Sequence, residues 1–166
     1  MSQDFAGLHF KVVKNKNEFI DFIRATIPQD DIYIIKPNWF DHRPGSYTDA
    51  ETLDTVLTAL PGKKIVIEGH SHSRNDLSIR ITPENMDEKR EWIQAQEKEY
   101  LNRLGITDVL AKHKVEYLNI TEEWWNGKTV VGEVIKDIVE SKFTPVVHQE
   151  FYHIVPLKLL SYEEKP

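Results

Sequence analysis

Two polar bursts in this chain each follow a short apolar run, and their residue types are those that bind and react. The first is Lys36-Pro37-Asn38-Trp39-Phe40-Asp41-His42, and the second is Glu68-Gly69-His70-Ser71-His72-Ser73-Arg74-Asn75-Asp76. Lys36 offers a point charge on a flexible stem, and Pro37 keeps the backbone extended so that Asn38 leaves the strand in a fixed direction. An anion can be clamped there. Thr48, spaced from Glu51 as in a capping box, marks a helix N-terminus that brings free N–H groups and a partial positive charge toward the same loop. In the second burst His70 and His72 lie two residues apart, so in an extended segment both imidazoles project from one face with the Glu68 carboxylate. Two imidazoles and a carboxylate suit zinc or another first-row divalent ion, and Asp41 and His42 are further candidates for the ligand set. The plainer reading of the same residues is an exposed lysine, an asparagine capping a turn and two loop histidines.

Other motifs carry less. The string HSHSRND has the alternate histidines of the metallo-β-lactamase motif, but Arg74 and Asn75 stand where that motif needs Asp-His. Asn126-Gly127-Lys128-Thr129 ends like a phosphate loop, yet Glu122 occupies the first glycine position, so a turn followed by a helix cap is expected. No serine sits in a nucleophile elbow, and the adjacent carboxylates of Glu122 and Glu123 diverge. Trp124-Trp125 either stack on a ring or sugar or close the edge of a core.

The elements that must position these residues are written as alternating patterns. His9 to Lys14, Asp31 to Lys36, Lys63 to Glu68 and Val115 to Ile120 are rich in β-branched and aromatic residues, and the second and third are nearly continuous in apolar character, as strands covered on both faces are. Between and beyond them run helical stripes: Phe19, Ile20, Ile23 and Ile27; Leu53, Val56, Leu57 and Leu60; Val131, Val134, Ile135, Ile138 and Val139. Pro61-Gly62 stops the second helix. Thr82-Pro83 opens a charged helix over 84–104 that Gly105 closes, its thin apolar stripe being Ile93, Tyr100 and Leu104. The charges of that helix form either a solvated face or a surface for a partner. Tyr152 to Leu160 reads as a strand that Pro156 confines to an edge or splits in two.

This alternation predicts an α/β fold: a three-layer, predominantly parallel sheet of about four or five strands with helices on both faces, Rossmann-like or flavodoxin-like, in one domain over 1–166. In such sheets ligands sit beyond the carboxyl ends of the strands. If the runs Ile32 to Ile35 and Ile65 to Ile67 are parallel, both polar bursts share one edge.

Composition narrows the partners. Lys and Arg number 21 against 27 Asp and Glu, for a formal charge of -6, with the signs interspersed, so no basic stripe exists to hold nucleic acid. No run approaches the roughly 18 apolar residues of a membrane span, and Met1 to Gly7 lacks the basic and apolar parts of an export signal. A cytoplasmic protein without membrane attachment is expected, and the sequon Asn119-Ile120-Thr121 is then a chance match. The chain has no cysteine, which excludes disulfides, thiolate nucleophiles, cysteine-based zinc sites and an iron–sulfur cluster held by its own thiolates.

The ordered set IYIIKPNW, YTDAETLDTVLTAL, KKIVIEGHSHSRND and LNRLGITDVLAKHKVEYLNI, spanning roughly residues 30 to 120, resembles the family catalogued as domain of unknown function 362. The matching residues are Lys36, Pro37 and Asn38, then Thr48, Asp49 and Glu51, then Glu68 and Gly69. The resemblance implies an α/β unit, and some members of that family carry iron–sulfur ferredoxin segments that suggest oxidoreductase chemistry. This chain lacks the cysteines for such a cluster, and it ends near YHIVPLKLLSYEEKP where longer members continue into a second half with further lysine and histidine.

The residues therefore point to a site for a small anionic molecule between the two bursts, with Lys36, Asn38 and Thr48 holding the ligand and Glu68, His70 and His72 supplying divalent-metal ligation or proton transfer. They name a ligand class and leave the reaction open. The alternative is a non-catalytic binding or interaction subunit that meets a protein partner, or a second copy of itself, through the charged helix or the C-terminal edge strand.

Overall fold

The architecture is that of a computed structural model, which describes residues 3–5, 8–10, 12–40, 43–71, 85–130 and 155–156. The chain divides into two compact units, Met1–Tyr117 and Leu118–Pro166. The first opens on two short strands, β1 (Gln3–Phe5) and β2 (Leu8–Phe10), paired antiparallel with Phe5 opposite Leu8. After helix α1 (Lys16–Thr26) comes β3 (Ile32–Ile35), then helix α2 (Ala50–Ala59), then β4 (Lys63–Glu68). β3 and β4 run parallel, in register from Ile32 opposite Lys63 to Ile35 opposite Val66. With β5 (Glu116–Asn119) they form a parallel sheet in the order β3-β4-β5. The unit boundary falls within β5.

Among the described residues the parallel sheet thus has three strands, and the segment His9 to Lys14 does not supply another. Leu8–Phe10 pairs instead with the residues just before it. A local hairpin closes a far shorter loop than a long-range parallel pairing, and its entropic cost is correspondingly small.

Helix α1 is capped by Asn15, whose Oδ1 accepts from Glu18 N at 3.0 Å, while the Glu18 carboxylate accepts from Lys14 N at 3.0 Å. Its buried Ile23 packs in a cluster with Tyr33 of β3 and Ala59 and Leu60 at the end of α2. The Arg24 Nε donates to Ala59 O at 3.2 Å, placing a cation on the carbonyl end of α2 where the helix dipole favours it. At the other end of α2 the cap is Asp49, not Thr48. Asp49 Oδ1 accepts from Thr52 N at 2.7 Å, and the Thr48 hydroxyl is occupied elsewhere.

The long charged helix is α3 (Met86–Arg103), closed as expected by Gly105 at φ +70. Its starting signal Thr82-Pro83 lies outside the described residues. The same glycine leads into α4 (Ile106–His113), a helix not evident from the sequence pattern because its apolar face, Ile106 and Leu110, is only two residues deep. Ile93, Tyr100 and Leu101 of α3 are buried, and so is Glu97 between them. The main cluster joins Trp39, Leu53, Leu57, Val66, Tyr100, Leu101, Ile106 and Leu110.

One ionic cluster ties three helices. The Asp54 carboxylate of α2 accepts from Lys112 Nζ at 2.5 Å, Lys16 Nζ at 2.6 Å and His113 Nε2 at 2.7 Å. The hydrogen bonds from Lys112, Lys16 and His113 hold its carboxyl well below the usual carboxylate range. A depressed folded-state value means stability that is complete above the unfolded carboxylate pKa of about 4 and is lost as pH falls through the lowered value. Both lysines are largely solvated, so each pair is discounted for screening, and Asp54→Asn is expected to cost about 1–2 kcal/mol at neutral pH. Urea unfolding checks this. The gap between wild type and variant should narrow on acidification below about pH 4.

In the second unit, α5 (Ile120–Trp125) is capped by Asn119, whose Oδ1 accepts from Thr121 N at 3.0 Å and Glu122 N at 3.2 Å. Gly127 at φ +64 turns the chain into β6 (Thr129–Val130), which pairs antiparallel with β7 (Val155–Pro156). The Asn126 to Thr129 segment therefore runs from helix to turn to strand, the reverse of a phosphate loop, which must run from strand to helix. Among the described residues Pro156 sits in a two-stranded ribbon, where each strand is an edge, and the rest of the expected strand Tyr152 to Leu160 lies outside them. The apolar stripe Val131 to Val139 lies outside the described residues.

Candidate functional site

Because β3 and β4 are parallel, the loops after Ile35 and after Glu68 leave the same edge, and specific bonds join them. Lys36 Nζ lies 3.3 Å from Glu68 Oε2, and the Ser71 hydroxyl donates to Phe40 O at 2.6 Å. The Lys36 side chain remains 63% exposed at this junction, whereas that of Glu68 is 14% exposed. Glu68 is further fixed through Oε1, which accepts from Gly69 N at 2.9 Å.

Asn38 and Thr48 meet, but as a clasp. Asn38 N donates to Thr48 Oγ1 at 3.0 Å, Thr48 N donates to Asn38 O at 2.8 Å, and Asn38 Nδ2 donates to Ser46 O at 3.0 Å. Trp39, fully buried, adds a bond from its Nε1 to Thr48 O at 2.9 Å. These bonds close the loop on itself and account for Asn38 and Thr48 without a ligand. Lys36 alone of the three sequence-selected binding residues holds an exposed charge at the edge. Asp41 and His42 lie outside the described residues.

His70 is not an exposed loop residue. Its side chain is 3% exposed, with Nδ1 3.6 Å from Oε2 of Glu97, itself 6% exposed. Tyr117, in β5, donates from its hydroxyl to Glu97 Oε1 at 2.7 Å and meets Trp39 edge-on, with ring centroids 5.8 Å apart at 64°. A connected path thus runs from the first loop to the second: Trp39, Tyr117, Glu97, His70.

β4 ends at Glu68, so past that residue no ladder maintains the two-residue alternation that would align Glu68, His70 and His72. His72 lies outside the described residues. Among the described residues no three His, Asp or Glu side chains are grouped so as to hold a metal ion.

Glu97 and Tyr117 were not singled out by motif. Glu97 nevertheless carries a signal, since it stands four residues after Ile93 and three before Tyr100, on the buried stripe of an otherwise charged helix. A carboxylate at a core-facing position requires partners.

A cleft of about 210 Å³ lies away from this edge, beside the segments that lead into β3 and β4. It is lined by Arg24, Ile27, Gln29, Tyr33 and residues 58 to 61. Two of its polar side chains are engaged internally: Arg24 binds Ala59 O, and the Tyr33 hydroxyl donates to Pro28 O at 3.1 Å and accepts from Asp30 N at 2.7 Å. The convergence of charge at the carboxyl edge makes that edge the stronger candidate. No helix of the described residues is long and apolar enough to cross a membrane. Comparison of the chain with family models, curated proteins and solved structures gives no match.

Proposed function

We propose that the chain binds a small anionic molecule at the carboxyl edge of β3 and β4, with Lys36 supplying the charge and His70 the proton-transfer group. The observation that carries this reading is the junction of the two strand-end loops: the first presents an exposed ammonium against Glu68 at the end of β4, and the second, two residues past Glu68, carries a buried imidazole that faces the Glu97 carboxylate. A ligand phosphate or carboxylate competes with Glu68 for the Lys36 ammonium. Asn38 and Thr48 contribute by holding the loop shut. Titration with inorganic phosphate and with succinate, followed by calorimetry, tests the reading. Lys36→Ala is expected to weaken binding roughly tenfold, the loss of one charge-assisted contact of about 1.5 kcal/mol. Unchanged affinity in the variant would sink the assignment.

A divalent ion held by Glu68, His70 and His72 extends the same proposal. Zinc titration of wild type and His72→Ala tests it, and the second histidine is the cleaner target because truncating the buried His70 would disturb packing as well as ligation. The resemblance to the family of domain of unknown function 362 and a cytoplasmic setting belong to this reading too, the former resting on Lys36-Pro37-Asn38 and Glu68-Gly69 at the ends of parallel strands. So does completion of the sheet to about four or five strands in three layers. Ile65 favours it: this residue is fully buried yet belongs to neither hydrophobic cluster, while its neighbour Val66, on the opposite face, belongs to the main one.

The second reading is an interaction subunit. Trp92, 41% exposed on the charged helix α3, favours it. Light scattering after size exclusion, with Trp92→Ala as the variant, tests whether that face joins copies of the chain.

A further inference from the structure

We infer that Glu97 is the positioning residue for His70: it faces Nδ1, selects the tautomer protonated there, and so directs ligand chemistry through Nε2. This deepens the proposed anion site and rests on it. Glu97 projects from the buried stripe of α3, where an apolar side chain would pack without any desolvation penalty, whereas taking a carboxylate out of water costs several kcal/mol unless its partners compensate. The partners are on different elements. Tyr117 of β5 donates to Oε1 at 2.7 Å, and His70, in the loop after β4, presents Nδ1 at 3.6 Å from Oε2.

That last separation is an ion-pair contact and is longer than a hydrogen bond. Closure by a few tenths of an ångström, of the kind catalytic pairs undergo when ligand arrives, makes Nδ1–H donate to Oε2. A carboxylate is only an acceptor, so the ring nitrogen that faces it must carry the proton, and the lone pair of a neutral ring then resides on Nε2. Tyr117 prevents Glu97 from turning away, and Trp39 packs against Tyr117. The clasped first loop thereby sets the orientation of the histidine in the second.

Long-range nitrogen–proton correlation spectra of the full chain, recorded at alkaline pH where an imidazole carries one ring proton, read the tautomer directly. Wild type is expected to show His70 protonated at Nδ1. In Glu97→Gln the oxygen stays with the Tyr117 hydroxyl, the amide NH2 faces Nδ1 as a donor, and the tautomer is expected to invert to Nε2–H. Tyr117→Phe, which leaves the carboxylate unanchored, is expected to give a mixture and serves if the glutamine variant does not fold. Added inorganic phosphate should shift the Nε2 resonance in wild type as that of an acceptor, and in the opposite sense in Glu97→Gln, where Nε2–H is the donor. An Nε2–H tautomer in wild type overturns the inference, as does phosphate binding that depends on Lys36 but leaves His70 unperturbed. Phosphate and succinate that fail to bind at all overturn the anion site itself, a separate result.

Discussion

Trp39→Ala is expected to lower the unfolding free energy by roughly 3–5 kcal/mol, the largest effect of any single change considered. The indole is fully buried in the main cluster with Leu53, Leu57, Val66, Tyr100 and Ile106, so its removal leaves a cavity in that cluster. Two directional contacts go with it: the Nε1 bond to Thr48 O at 2.9 Å and the edge-on packing against Tyr117. The first is worth about 1 kcal/mol net and the second about 0.5–1.5 kcal/mol beyond area burial, and both fall within the total. Trp39→Phe keeps most of the volume and is expected to cost about half as much. Urea melts of both variants check the order. A loss under about 1 kcal/mol for the alanine would mean that the loop after β3 is not part of the core. Because Trp39 also braces Tyr117, the alanine variant should weaken the Glu97 to His70 alignment even at temperatures where it remains folded.

Gly62→Ala is expected to cost roughly 2–4 kcal/mol, more than a left-handed residue alone explains. Gly62 has φ +68, and a Cβ there would stand 2.7 Å from Asp31 O and 2.8 Å from Asp30 O. Both obstacles are backbone at the entrance to β3. Neither can swing aside like the end of a flexible side chain, and Asp31 O already accepts from Lys63 N at 2.7 Å, the bond that starts the β3–β4 pairing. Gly105 supplies the control, since its φ is +70 but the nearest atom to an added Cβ is 3.8 Å away, so Gly105→Ala should cost only the conformational part, roughly 1–2 kcal/mol. Equal losses for the two variants in thermal and urea unfolding would show that the Asp30 and Asp31 carbonyls yield freely.

Local chemistry in the sequence carried the elements that local chemistry builds. The apolar run Ile32 to Ile35 and the stripe Leu53, Val56, Leu57 and Leu60 each announced their period, and Pro61-Gly62 and Gly105 marked helix ends because few other residues suit those backbone positions. The parallel pairing of β3 and β4 followed from the helix between them, since a strand that returns after such a connection lies beside its predecessor in the same direction. Local rules failed where two local answers were nearly equal. Thr48 and Asp49 can each cap α2, and the contest was settled by Asn38, ten residues upstream, whose backbone N–H takes the threonine oxygen.

The sequence by itself determined that a lysine, a glutamate and a histidine would stand at the ends of adjacent strands, because strand direction and residue type are enough to say so. Which of them act together was decided only by tertiary structure. Lys36 and Glu68 are 32 residues apart, and Tyr117 and Glu97 are 20 apart on different elements. No periodicity spans such distances, and a buried carboxylate in the stripe of α3 is visible as an anomaly without naming its partners. His70 follows the last residue of β4, where the two-residue alternation stops, so its turn toward Glu97 was set by the helix packed there and by no pattern in its own segment. The cost of leaving a carboxylate unpaired in a core is what selects that arrangement among those the backbone allows.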